Sequence, residues 1–140
     1  MLKKILSSNP DKTLSDEISL TTLRVVIGLF MAFGHGLGKL PPGEGLINGV
    51  TALGFPAPMF FAWMAGLAEF VGGLLVALGL LTRISSFFTA FTMFVAAFIV
   101  HGADPFGTKE MSLLYLTAFL VFMIRGGGRY SLDHLIFKKH

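Results

Sequence analysis

The chain has 140 residues, one domain's worth, with 54% hydrophobic and 14% charged residues, a mean hydropathy of +0.75 and a formal net charge of +3. So few charges cannot coat a water-facing globule of this size, and the composition places the chain in a bilayer. It excludes a disordered protein, a nucleic-acid module and a disulfide-stapled secreted domain; with no cysteine, thiol redox chemistry and thiolate metal sites are excluded too.

In chain order, residues 1–17 begin basic with Lys3 and Lys4 but continue polar, so they read as a polar N-terminal segment rather than a cleavable signal peptide. Four apolar stretches follow at about 18–40, 58–81, 84–101 and 109–125. Each is close to the roughly 20 residues that cross a ~30 Å hydrocarbon core. The expected fold is an all-α integral membrane protein, a four-transmembrane-helix bundle over residues 18–126. Ser15 is the expected N-cap of the first span, with Asp16 and Glu17 in its first turn and Pro41 and Pro42 as its stop. Pro58 suits a first helical position, Thr108 is the expected N-cap of the fourth span, and the glycines at 126–128 end it.

Two shorter segments lie outside the spans. Residues 43–57 are rich in Gly and Pro, yet Leu46, Val50 and Leu53 keep helical spacing, which predicts a short interfacial or re-entrant helix across the bundle mouth. The tail, 127–140, predicts a short amphipathic helix. Ser131 would cap it, Leu132, Leu135 and Ile136 form its apolar stripe, and Lys138 and Lys139 suit anionic headgroups.

Orientation follows from the basic residues in the loops. With both termini in the cytoplasm, that side carries Lys3, Lys4, Lys12, Arg83, Arg125, Arg129, Lys138 and Lys139, against Lys39 and Lys109 outside. The bias predicts an N-in, C-in protein.

An ionisable residue inside a span costs at least ~2.5 kcal/mol on insertion scales, so each is a functional-site hypothesis. Two stand out, Arg24 in the first span and Glu69 in the second. Counted from Leu37 and Pro58 at the outer boundary, they lie at depths of about 20 and 16 Å at the helical rise, which predicts a facing ion pair. Helical phase puts Arg24, Gly28, His35 and Lys39 on one face, and Ala62, Gly66, Glu69 and Gly73 on another. Small residues around Glu69 leave room for a neighbouring backbone or a ligand. Nearer the outer mouth, His35, His101 and Glu110 end or begin their spans on the same side, with Tyr115 deeper. Two histidines and a glutamate are also a conceivable metal set, but helix-end histidines bonded to carbonyls are commoner, and no metal is assigned. The competing structural readings are a register-fixing ion pair for Arg24 and Glu69, a helix-dipole role for Glu110 and an aromatic-belt role for Tyr115.

These residues in this order resemble the DoxX family of small four-span membrane proteins. The resemblance covers residues 20–133. It rests on Leu23 and Arg24, the Gly-His-Gly-Leu-Gly-Lys-Leu run at 34–40, Gly54-Phe55-Pro56 before the second span, and Glu69-Phe70-Val71-Gly72-Gly73 within it. It continues through the Leu-Gly-Leu-Leu-Thr-Arg run at 78–83, His101, Glu110 and the Gly-Arg-Tyr-Ser-Leu-Asp run at 128–133. What the resemblance implies is a four-helix bundle in a bacterial inner membrane, associated with membrane oxidoreductase systems and quinone or catechol handling.

The expected function is accordingly a quinone- or small-aromatic-handling subunit of a membrane oxidoreductase system, with Arg24 and Glu69 as the floor of its pocket. His35 and His101 would relay protons near the mouth, and Glu110 and Tyr115 would assist in binding the quinone. Since the chain has no electron carrier of its own, a bound cofactor or a soluble redox enzyme partner would supply electrons. Two readings of other classes stand beside it: a non-enzymatic membrane anchor or assembly factor, and a small transporter. Its small-residue helix faces also suit a homodimer.

Overall fold

The computed structural model describes residues 14–137, so the expectations for residues 1–13 and for Lys138 and Lys139 lie outside the described residues. Those described form an all-helical bundle. Helix α1 (Leu14–Leu29) continues through a π-helical segment, Phe30–Gly36, and a 3-10 turn, Leu37–Lys39, into one unbroken rod. The short α2 (Glu44–Ala52) precedes α3 (Pro58–Leu78), and α4 (Thr82–Val95) is extended by a second π-helical segment, Ala96–Val100. Helix α5 (Phe106–Arg125) and the short α6 (Leu132–Phe137) complete the order. Among the described residues four helices, Leu14–Lys39, Pro58–Leu78, Thr82–Val100 and Phe106–Arg125, are long and apolar enough to cross a membrane.

The helix ends have local causes. Pro58 stands at the start of α3, where its missing N–H costs no helical bond. Gly79 ends the same helix with φ +71; its N–H reaches Val76 O and that of Leu80 reaches Leu75 O, the paired bonds of a Schellman turn. Two expected caps are corrected. Ser15 lies inside α1, which already includes Leu14, and α5 starts at Phe106 behind Pro105, which makes Thr108 part of its first turn. The N-terminus of α4 has no local side-chain cap; Asp133 supplies one from the tail, accepting from Leu81 N at 2.7 Å and Thr82 N at 2.9 Å. Ser131 does cap α6, accepting from His134 N at 3.2 Å.

Packing differs from seam to seam. Between α1 and α3 the backbones nearly touch. A Cβ on Gly73 would lie 2.8 Å from Gly28 O and 2.9 Å from Ala32 N, and one on Gly36 would collide with the backbone of Phe70. Small residues permit this approach, and in an apolar solvent close packing of this kind is what holds helices together. The seam occupies Gly28, Gly36, Gly66 and Gly73 inside the chain. Those four glycines are therefore spent on the bundle itself. Between α3 and α4, Thr89 Oγ1 donates to Ala68 O at 2.8 Å, with Gly72 leaving it space. Met93, Tyr115, Phe119 and Phe122 join Met31 and Val76 in the core where α4 and α5 meet the first pair. Phe87, Phe91, Phe94 and Phe98 on α4 face outward, as lipid-facing residues do.

A side chain at the α1–α3 seam should separate the helices. Gly73→Leu is expected to cost about 2 kcal/mol through overpacking, read as a lowered melting temperature in detergent, whereas Gly34→Leu, with open space around it, should melt as the parent does.

Candidate functional site: a buried ion pair at the end of an apolar cleft

Glu69 lies in the middle of α3 and is fully buried. Its partner is Lys39, at the last turn of the first rod: Nζ lies 2.5 Å from Oε1 and 2.7 Å from Oε2, so one ammonium bridges both carboxylate oxygens. The close approach of Gly36 to the Glu69–Phe70 backbone and of Gly66 to Lys39 and Leu40 sets the register that makes this contact possible. Lys39 is partly exposed, with 35% of its side-chain surface accessible, while Glu69 shows none. A carboxylate held in an apolar medium is tolerable when it is paired and hydrogen-bonded in this way.

The predicted Arg24–Glu69 pair does not form. Arg24 is buried, but its Nη1 donates to Val76 O at 2.7 Å and Ala77 O at 2.6 Å, and its Nη2 to Tyr130 O at 2.8 Å. Val76 and Ala77 belong to the last turn of α3, where Val76 O also accepts from Gly79 N but the regular i+4 helical donors are missing; the guanidinium thus caps the negative end of that helix. These carbonyls are seven and eight residues beyond Glu69, about 11 Å along the axis. The depth estimate failed because Leu37 and Pro58 are not level. Leu40 at the end of the first rod meets Gly66, two turns inside α3.

The four-residue face expected on the first helix is also split. Arg24 and Lys39 address α3, but His35 turns to α5, where its ring meets Tyr115 edge-on with centroids 5.2 Å apart. His35 and Lys39 follow the start of a π-helical segment, whose wider turn breaks the constant α-helical phase that the prediction assumed. His101 sits after the α4 rod with Nδ1 2.8 Å from Asp104 Oδ2, and Glu110 is exposed on the first turns of α5. Glu110 and Tyr115 do not reach the cleft described next, and among the described residues no three His, Asp or Glu side chains converge on a point that could hold a metal ion.

That cleft, about 270 Å³, lies between α2, α3 and α4. Leu46 and Val50 of α2 cover one side, Phe61 and Met64 of α3 and Phe91 and Val95 of α4 form the others, and Lys39 and Glu69 are the charged residues in its wall. Helix α2 is the short helix anticipated over residues 43–57, with Leu46 and Val50 turned to the cleft. Two wall residues, Phe60 and Phe91, are more than half exposed, so the cleft opens sideways to the apolar surroundings of the bundle. Chemically, it offers an apolar slot with one ammonium and one carboxylate at its end. Lys39 is the residue that the sequence reading undervalued; its signal was its place on the predicted polar face, read there as part of an outer loop.

A scan against family models matches residues 19–102 to DoxX. The chain belongs to the DoxX family. Its DoxX segment contains Arg24, His35, Lys39, Glu69 and His101. The chain is 35% identical over 125 residues to "Putative oxidoreductase CatD" of Bacillus subtilis, an alignment covering 89% of this chain and 91% of that protein. It is 34% identical over 108 residues to "Inner membrane protein YqjF" of Escherichia coli, covering 74% and 82%. An uncharacterized protein of Haemophilus influenzae is 35% identical over 128 residues, covering 86% and 92%. No solved structure matches the chain.

The two charges should respond differently to substitution. Lys39→Met is expected to destabilise by about 3 kcal/mol because it strands the buried carboxylate, and Lys39→Met with Glu69→Leu should recover most of that loss. Arg24→Met, which removes a charged donor from three carbonyls, should cost roughly 3 kcal/mol, and Glu69→Leu should not relieve it. Melting curves of the four variants in one detergent check all three statements.

Proposed function

We propose that this DoxX protein binds a small lipophilic aromatic of quinone type in the cleft between α2, α3 and α4, as a subunit of a membrane oxidoreductase system. The observation that carries the reading is the Lys39–Glu69 pair at the end of an otherwise apolar slot. A few convergent polar groups in an apolar cavity are what orient a ligand whose ring is apolar and whose carbonyl oxygens are not. The volume is near the low end for ligand pockets and suits a ring, with any isoprenoid tail left in the lipid through the lateral opening.

Lys39 has three N–H donors, two of them directed at Glu69, and its partly exposed ammonium can donate to a ligand oxygen at the cleft wall. Glu69 holds that ammonium in place and is the carboxylate through which a proton can be taken up or returned. Reducing a quinone to the quinol takes two electrons and two protons; the electrons come from a partner protein or a bound cofactor. Arg24, bound to backbone carbonyls, takes a structural role in this reading, and His35 with Tyr115 lines a separate helix contact.

The likeness to a protein named as a putative oxidoreductase supports the redox setting, and the likeness to an inner membrane protein supports that location. The excess of Lys and Arg at the end carrying both termini supports an N-in, C-in orientation.

Solvent extracts of the protein purified from native membranes should contain quinone by absorbance and mass spectrometry. Glu69→Gln and Lys39→Met should each lower its occupancy at least tenfold, while Lys109→Gln at the start of α5 should leave it unchanged. Empty wild-type protein that also takes up no added ubiquinone or menaquinone would sink the assignment and favour the non-enzymatic anchor.

A further inference from the structure

A second pocket lies at the opposite end of the bundle from α2. It has a volume of about 500 Å³ and is bounded by the turn from α3 to α4, the glycine bend after α5, and α6. Gly126 and Gly128 adopt φ +76 and +77, so this wall is bare backbone. Arg83 runs along it: a Cβ on Gly126 would lie 3.3 Å from Arg83 Nε. Its guanidinium has no ion pair among the described residues, and the His134 side chain joins it in the lining. One carboxylate, Asp133, also lines the pocket, but both of its oxygens are taken by the Leu81 and Thr82 amides. It therefore caps α4 and forms no ion pair with Arg83.

The rim is apolar. Ile84 and Phe137 flank the pocket and are 58% and 65% exposed. Arg125 and Arg129 are exposed at the same end. An unpaired guanidinium beside bare backbone recognises a phosphate group, and an apolar rim at the end of the membrane spans fits the acyl chains attached to one. A free inorganic anion would make no use of that rim.

We propose that this pocket binds the phosphate headgroup of an anionic phospholipid, with Arg83 as the principal contact and Ile84 and Phe137 against the acyl chains. The site is separate from the cleft at Lys39 and Glu69, and neither proposal depends on the other.

The test uses the full chain in a neutral detergent, titrated with phosphatidylglycerol or phosphatidylcholine of matched chains and followed by native mass spectrometry and melting temperature. Phosphatidylglycerol should bind at least tenfold more tightly than phosphatidylcholine. Arg83→Gln should remove most of that preference, Arg83→Lys should keep part of it, and Arg125→Gln, which deletes the same charge outside the pocket lining, should keep all of it. Equal binding of the two lipids overturns the proposal. So does equal loss in Arg83→Gln and Arg125→Gln, which would mean diffuse attraction to a basic surface, and so does full displacement by millimolar inorganic phosphate, which would mean a site for soluble anions. Melting of each variant without lipid establishes that it is folded, and Ile84→Gln, expected to weaken phosphatidylglycerol binding without removing a charge, provides an independent check.

Discussion

The backbone contact between α1 and α3 governs the rest of the bundle. Gly28, Gly36, Gly66 and Gly73 let the two helices approach until carbonyls and amides nearly touch, and at that distance only one register is sterically allowed. That register brings Lys39 opposite Glu69 at one end and Arg24 beneath the last turn of α3 at the other. A slip by one residue would rotate both charges away from their partners into lipid. The apolar medium thus enforces the register a second time, through the cost of an unpaired charge.

The two charges are accommodated by different chemistry. Glu69, an acceptor with no exposed surface, needs a donor from another helix, and the long stem of Lys39 reaches it from the helix end. Arg24 needs acceptors, and the helix that Glu69 belongs to provides them, since its final carbonyls lack the regular i+4 donors of a helix interior. Its third bond, to Tyr130 O, ties down the segment after α5, and Glu17 Oε2 adds a bond from Arg129 N at 2.7 Å. With Asp133 on the start of α4, three separate polar contacts fasten that tail to α1 and to the start of α4. The result is a bundle tied together by polar contacts at the tail end and open sideways to apolar surroundings at the α2 end. A ligand site and a lipid-headgroup site suit such a division.

The four spans, the helix over 44–52 and the glycine stop at 126 were all legible in one dimension, because hydrophobic run length, Pro and Gly act locally. So was the importance of Glu69 and Arg24, since a charge in an apolar run is costly wherever it points. Their partners were not legible. Depth had to be counted from helix ends, and α3 extends two turns beyond the point where the first rod stops, which displaced the estimate for Glu69 relative to Arg24. Phase had to be assumed constant, and the π-helical segment at Phe30–Gly36 turns His35 toward Tyr115 while Lys39 faces Glu69.

By itself, then, the sequence determined a four-span helical membrane protein of the DoxX family with two charges that must be compensated. Only the tertiary structure decided that Lys39 compensates Glu69, that backbone carbonyls compensate Arg24, and that an apolar cleft ends at the first of these pairs. The physical reason is that burial costs are properties of single residues, whereas pairing depends on the relative height and rotation of two helices. Those are set by the close approach of glycines to residues far away in the chain.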